Sequence, residues 1–254
     1  MAKRVLIVGD TIVDKDIELK AIGLSLESPT LKTEARAESI NFGGAANVAK
    51  YAHKFGLDVT FATAMSQESE RQYLEKYSLK LLNLNSNIEN TKSRFYVSHG
   101  DQRYKYLQVN DTNKQNLFLG LDLNLDEFDM IAFSDYRCGL INDVMISKSI
   151  KSKAKTFGAS QISSKESNFE KYLKLDYLVC NDNEAKFFKR RRNVLISLGK
   201  DGCKMNSVSY PAVRVTEPKN LIGAGDCFYA AFLAHQNPNT ANKCAAEYIR
   251  GNYE

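Results

Sequence analysis

Short apolar runs alternate with helical segments through the second half of the chain, and this constrains the fold more than any other feature of the sequence. Met130-Ile131-Ala132-Phe133, Tyr177-Leu178-Val179-Cys180 and Val194-Leu195-Ile196 are continuous apolar runs, and a further strand is expected near 155–158. Helices are expected near 141–153, 167–173 and 182–188 among them, and near 224–235 and 240–250 after a second short strand at Cys203-Lys204-Met205. Runs of four apolar residues without polar alternation fit strands buried on both faces, and strands separated by helices pair in parallel. Val5-Leu6-Ile7-Val8, stopped by Gly9-Asp10, is another such strand, and Val59 to Ala62 follows the same pattern. The sequence therefore predicts an α/β fold: a mostly parallel central sheet with helices on both faces.

Two regions follow a different period. Ile17, Leu19, Ala21, Leu31, Thr33 and Ala35 alternate with polar residues, as do Arg94 to Val97 and Tyr104 to Val109, the latter two joined by His99-Gly100-Asp101-Gln102 in hairpin style. These strands are too few to fold alone. They are expected to form a small β-strand lid, near 15–40 and 92–109, on a single domain spanning 1–254. A helix is expected after Gly43-Gly44-Ala45-Ala46-Asn47, closed by Gly56, and another over 68–82.

Composition narrows the function. With 43% hydrophobic and 26% charged residues in 254, the chain is not disordered, collagen-like or a coiled coil. A net charge of +5 suits an anionic small substrate and does not call for nucleic acid. The longest apolar run, 227–234, is far short of a membrane span. The 5 cysteines stand far apart with no CxxC pair, so the expectation is reduced thiols in a cytoplasmic protein, without zinc or disulfides. The 3 histidines have no metal spacing. Lys189-Arg190-Arg191-Arg192 reads as a solvated loop, or as an attractor of phosphorylated ligands.

Two glycine-containing helix starts can carry chemistry. Gly223-Ala224-Gly225-Asp226 opens an apolar helix. Its glycines admit close backbone approach, and the free N–H groups with the positive dipole end make an anion site suited to phosphate. An acid there does not bind the anion; it can take a proton from an attacking hydroxyl, or it can be an ordinary first-turn helix charge. Gly43-Gly44-Ala45-Ala46-Asn47 leaves room above a second helix start, where Asn47 offers a donor and an acceptor to hydroxyls, or packs closely on the sheet.

Taken in order, these segments resemble the two signatures of the ribokinase/PfkB carbohydrate kinase family. Gly9-Asp10 with Asp14 resembles the family's sugar-contacting start, and Asn181-Asp182-Asn183-Glu184 its Asn-x-x-Glu pattern, tied to magnesium and phosphate. Ser197-Leu198-Gly199-Lys200-Asp201-Gly202 resembles its stretch beside the nucleotide, and Ala241-Asn242 with Ala245-Ala246 its final helix near the adenine. The resemblance covers nearly the whole chain and implies a ribokinase-like fold and a kinase using ATP and Mg²⁺. Asp226 would be the base, and the Gly223, Ala224 and Gly225 amides would stabilise the transferring phosphoryl group. Asp10, Asp14, Gly43, Gly44, Asn47 and Arg94 would hold the sugar. Asn181, Ser197, Gly199, Gly202, Gly223, Gly225 and Asn242 would hold the nucleotide, and Glu184 with Asn181 the metal.

Within the family, Gly9 to Asp14, Ser25-Leu26-Glu27-Ser28-Pro29, Gly43 to Val48 and Ser134-Asp135-Tyr136 resemble the heptose-phosphate kinases of the ADP-heptose pathway. That implies D-glycero-D-manno-heptose 7-phosphate as acceptor, with lid cations Arg94, Arg103 and Lys105 for its phosphate. Ribose, fructose, fructose phosphate or a nucleoside are the alternative acceptors, and a homodimer through the lid strands is the expected partner. Two places depart from the pattern: Asn220-Leu221 where the family has Asp-Thr, which helps place a monovalent cation or the nucleotide loop, and Arg137-Cys138 where Gly-Lys is usual. The first also fits a catalytically silent member with a binding or regulatory role. A dinucleotide-binding enzyme would need Gly-x-Gly-x-x-Gly after the first strand, where Gly9-Asp10-Thr11 stand instead.

Overall fold

The computed structural model describes residues 2–99, 102–112, 123–161, 169–187 and 192–253. The chain opens with β1 (Arg4–Gly9), then two long strands, β2 (Thr11–Leu24) and β3 (Leu31–Gly44), then α1 (Ala45–Lys54) and β4 (Asp58–Thr63). Next come α2 (Gln67–Lys76), β5 (Lys80–Asn83), β6 (Thr91–His99) and β7 (Gln102–Asp111). The alternating half follows as β8 (Met130–Asp135), α3 (Asp143–Lys151), β9 (Lys155–Ser160), β10 (Tyr177–Asn181), a single turn α4 (Asp182–Ala185) and β11 (Val194–Ser197). The strands β12 (Cys203–Met205) and β13 (Val208–Tyr210) and the helices α5 (Ala224–His235) and α6 (Pro238–Ile249) close the fold.

Among the described residues, nine strands form one sheet in the order β13-β12-β11-β10-β9-β8-β1-β4-β5. Every pairing from β11 to β5 is parallel, and β12 and β13 continue the sheet antiparallel at its edge. Alternate residues of β1 serve two cores. Val5 and Ile7 pack with α1, α5 and α6, while Leu6 and Val8 pack with Met145 and Ile146 of α3 and with Phe169 and Tyr172. Burial on both faces is why β1 and β8 carry no polar alternation.

The lid expectation holds in outline. A separate four-stranded sheet, β3-β2-β6-β7, comprises both alternating regions. Its strands run longer than expected, so β3 leads straight into α1 and β2 follows β1 after Asp10 alone. The Gly100-Asp101 link and most of the basic run at 189–192 lie outside the described residues. The expected helix over 68–82 ends at Lys76, and Lys80–Asn83 is an edge strand paired with β4. A short apolar run suits either period, and the open sheet edge decides it. Among the described residues, helical structure near 167–173 and 182–188 amounts to a short 3₁₀ turn and the single turn α4.

The departure at Arg137-Cys138 has a backbone consequence. Arg137 sits at φ 64, a left-handed conformation that glycine adopts without strain. An L side chain there costs about 1–2 kcal/mol, against about 0.5–1 kcal/mol of extra chain entropy that a glycine loses on folding. Arg137→Gly is therefore expected to raise stability by roughly 0.5–1 kcal/mol, seen as a Tm rise of about 1–4 °C. An unchanged or lower Tm would show that the arginine side chain offsets its backbone.

Candidate active site

The C-terminal ends of the parallel strands β8 to β11 open on a cavity of about 320 Å³, capped by the base of the lid. This is where ligands settle in open parallel sheets. Its walls include Ser134 to Tyr136 after β8, Ser160-Gln161 after β9, Asn181 and Glu184 after β10, and Ser197 of β11. The lid contributes Asp14, Lys92 and Arg94, and the two helix starts contribute Gly43, Gly44 and Asn47, and Gly223, Gly225 and Asp226. Residues far apart in the sequence thus meet in one place; Ala224 lies in the same turn as its neighbours.

Asp226 is the acid at the C-terminal helix start of the cavity. It stands in the first turn of α5, after Gly223 in a left-handed cap at φ 89. A Cβ on Gly223 would lie 2.7 Å from the Tyr248 hydroxyl oxygen and 3.2 Å from Asn47 Nδ2, so this approach also requires glycine. The Tyr136 hydroxyl donates to Asp226 Oδ1, and Asn47 Nδ2 donates to Oδ2 at 3.3 Å. Burial raises the carboxyl to about 6, with the Asp14 charge adding to it, against the two hydrogen bonds and Lys92. Each carboxylate oxygen accepts two bonds, so both keep a lone pair for a ligand hydroxyl.

Asp14 is held from the lid side. Arg94 Nη2 lies 2.9 Å from its Oδ1, and Arg94 Nη1 lies 3.4 Å from Asp16 Oδ1. Burial raises the Asp14 carboxyl, offset by Arg94 and Lys92. A Cβ on Gly43 would meet Asp14 Oδ2 at 2.5 Å, so the bare backbone of Gly43 lets that carboxylate face the helix start. Across the cavity, Asn181 and Glu184 cap α4 reciprocally: the Glu184 N–H donates to Asn181 Oδ1 at 2.9 Å, and the Asn181 N–H to Glu184 Oε2 at 2.8 Å. Burial raises the Glu184 carboxyl despite those bonds.

Several expected site residues lie outside the wall of this cavity. Asp10 is not in the cavity wall; it is buried beneath it, and its carboxylate takes the N–H groups of Tyr136 at 2.9 Å, Cys138 at 3.2 Å and Leu140 at 3.4 Å. Asn242 is buried on α6, and its amide is committed to the carbonyls of Tyr210 at 3.0 Å and Pro211 at 3.2 Å. Gly199 and Gly202 form the turn between β11 and β12, outside the cavity wall. Arg103, expected to meet a phosphate, is 2.6 Å from Glu18 Oε1 through Nε and stacks over Tyr96 at 3.3 Å. Tyr136 and Lys92, in contrast, line the cavity and were given no role by the sequence. The signal for Tyr136 was its place after a strand end; Lys92 gave none.

No family model matches the chain. Curated relatives include the bifunctional protein HldE of a Nitratiruptor species, 24% identical over 73% of this chain and 41% of the relative. The bifunctional protein HldE of Campylobacter jejuni subsp. doylei is 27% identical over 72% and 40% respectively. The chain thus spans about 40% of the length of the curated relatives it matches. Among solved structures, phosphofructokinase-2 from Escherichia coli superposes with a TM-score of 0.71 at 14% identity, over 99% of this chain and 95% of that one. The ribokinase of Thermotoga maritima gives 0.64 at 18% identity over 97% and 92%. The chain has the ribokinase fold. The Methanocaldococcus jannaschii nucleoside kinase shares this ribokinase fold at a TM-score of 0.68 and 14% identity, over 98% of this chain and 93% of that one. Among the described residues no helix is long and apolar enough to cross a membrane.

Proposed function

We propose that the chain is an ATP-dependent sugar kinase whose acceptor is a sugar phosphate, D-glycero-D-manno-heptose 7-phosphate. The observation that carries this is Asp226: a desolvated carboxylate at a glycine-opened helix start, held between Tyr136 and Asn47 at the wall of a cavity. ATP with Mg²⁺ supplies the phosphoryl group. The acceptor hydroxyl donates to Asp226, which takes its proton as the hydroxyl oxygen attacks. The amides of Gly223, Ala224 and Gly225 face the charge on the transferring oxygens. Asn47 holds both Asp226 and a sugar hydroxyl, and Asp14 and Gly43 bound the sugar from the lid side.

Asn181, Ser197 and Glu184 face the nucleotide end. Glu184 Oε2 is used by a backbone N–H, which leaves Oε1 for a hard cation or its water. No cluster of three or more metal-ligating side chains occurs among the described residues. That fits magnesium, which keeps several waters and is held by one or two carboxylates plus phosphate oxygens. The lid sheet covers the sugar and excludes water as a competing acceptor. Its strand β7 is exposed along its length, and Ile22, Leu24, Tyr104 and Tyr106 are exposed on the same sheet, which supports pairing of two copies through their lids.

The test is ATP consumption against heptose 7-phosphate, fructose 6-phosphate, ribose, fructose and nucleosides. The reading expects the highest kcat/KM with a phosphorylated acceptor. A preference for an unphosphorylated sugar would remove the sugar-phosphate assignment and leave the kinase; no ATP consumption with any acceptor would favour a binding role.

A further inference from the structure

Of the lid cations, Lys92 lines the first cavity, while Arg94 and Arg103 are engaged by lid acids. Arg94 is shared by Asp14 and Asp16, and Arg103 by Glu18 and Asp16. A further group of cations stands beside α1. A second cavity, of about 900 Å³, adjoins the first and shares Asp14, Asn47, Arg94 and Ile222 with it. Asn47, Lys50, Tyr51 and Lys54 line it, and their spacing of three, four and seven residues puts them on one face of α1. Lys76, at the end of α2, also lines it.

The side chains converge around aromatic rings. Lys50 Nζ lies 5.4 Å and Lys76 Nζ 5.7 Å from the centroid of the Tyr77 ring. Lys54 Nζ lies 5.1 Å from the Tyr253 ring. Among the described residues, Lys54 and Lys76 form no ion pair; their bonds are to uncharged oxygens, the Tyr253 carbonyl at 3.0 Å and Asn41 Oδ1 at 3.4 Å. The acids at the junction, Asp14 and Asp16, share the one Arg94 guanidinium, and the cations lining the cavity, Lys50, Lys54, Lys76 and Arg94, outnumber these two acids. Two ammonium groups about one ring, with a third a turn further on, make a receptor for a dianion.

We propose that this second cavity binds the phosphate monoester end of the acceptor, between Lys50 and Lys76 with Lys54 beyond, while the hydroxyl at the other end of the same sugar lies at Asp226. The inference rests on the kinase reading. Helix geometry sets the scale: at 1.5 Å per residue, Lys50 and Lys54 stand about 4.5 and about 10 Å along α1 from Asn47. A sugar ring with one exocyclic phosphoester spans that range. The site would therefore select sugars carrying a phosphate opposite the accepting hydroxyl.

The test uses the full chain with Lys50→Met and Lys76→Met, which keep the aliphatic packing on the tyrosines and remove one charge each. Heptose 7-phosphate and fructose 6-phosphate are compared with the same sugars lacking phosphate. Each variant is expected to lower the ratio of kcat/KM for phosphorylated over unphosphorylated acceptor by roughly ten- to a hundredfold, the scale of a charge-assisted bond, mainly through KM. Arg103→Ala is expected to leave the ratio where it is. Calorimetry of heptose 7-phosphate and inorganic phosphate, without ATP, reads the subsite independently of turnover. Turnover with an unchanged ratio overturns the inference and leaves the kinase; so does a loss confined to the KM of ATP, or a ratio that falls only with Arg103→Ala. Binding lost in Lys50→Met, in a wild-type chain that turns over no acceptor, keeps the subsite and overturns the kinase.

Discussion

Asp226→Asn is expected to lower kcat by roughly 10²–10⁴-fold, the range for loss of a general base. The amide keeps an oxygen for the Tyr136 hydroxyl and its nitrogen faces Asn47, whose amide turns to present its own oxygen, so the site stays assembled, but the new side chain cannot take a proton. Because burial holds the wild-type carboxyl of the free enzyme at about 6, wild-type kcat/KM is expected to rise with pH up to about 6 and to level off above it. The variant loses that rise. Stability moves the other way. A carboxyl raised above its unfolded value of about 3.9 contributes stability below that value and loses it as pH rises through the folded one. At pH 7–8 the asparagine escapes this cost, so the variant should melt no lower than the wild type. Rate profiles from pH 5 to 8 and melting curves at pH 7.5 measure both. A folded variant with wild-type kcat would remove Asp226 from the role of base.

Asp10→Ala should damage the fold although Asp10 stands outside the cavity wall. It strips the acceptor from the buried N–H groups of Tyr136, Cys138 and Leu140, at about 1–3 kcal/mol for each group left without one. Even at the lower figure the sum is about 3 kcal/mol, or a Tm lower by roughly 6–12 °C in a chain of this size. Its pH dependence has a definite sign. Burial, with the nearby Asp135 charge, raises the Asp10 carboxyl to about 7. The stability it contributes is therefore full below about pH 4 and declines as pH rises through about 7. The Tm gap between wild type and variant should be wider at pH 5 than at pH 8, and a gap that widens toward pH 8 would refute this account. The same loop carries Tyr136 to Asp226, so kcat should fall as well, with KM for ATP little affected.

Much of this molecule was legible in the order of its residues, because the features concerned are local. Four-residue apolar runs mark strands buried on both faces, and β1, β8, β10 and β11 appear where Val5, Met130, Tyr177 and Val194 announce them. Glycines before an apolar helix mark a close backbone approach, and Gly223 occupies its left-handed cap. Short ambiguous segments were less legible. Lys80–Asn83 joins a sheet edge and α4 stops after one turn, since neighbouring strands rather than propensity settle such stretches.

The partners of charged and polar side chains were not legible at all. Asp10 and Asp14 look equivalent in Gly9 to Asp14, yet one turns under the sheet end to hold a loop and the other faces the cavity. Arg94 and Arg103 resemble phosphate ligands as a sequence, but the pairing of β6 with β2 sets Arg94 against Asp16, and Asp14 and Glu18 on the same strand hold the two guanidiniums. Asn242 looks available to a nucleotide until α6 packs on β13 and its amide meets two carbonyls. Lys50 and Lys76, 26 positions apart and unremarkable in sequence, come to the same tyrosine ring only when α1 and α2 lie on one face of the sheet. Period, glycine and burial act over a few residues, so the strands, the helix starts and the acid at the head of α5 follow from the order of residues. Which charges are neutralised and which remain for a ligand follows from the packing of distant elements, because Coulomb and hydrogen-bond energies depend on distances that only the packed chain defines.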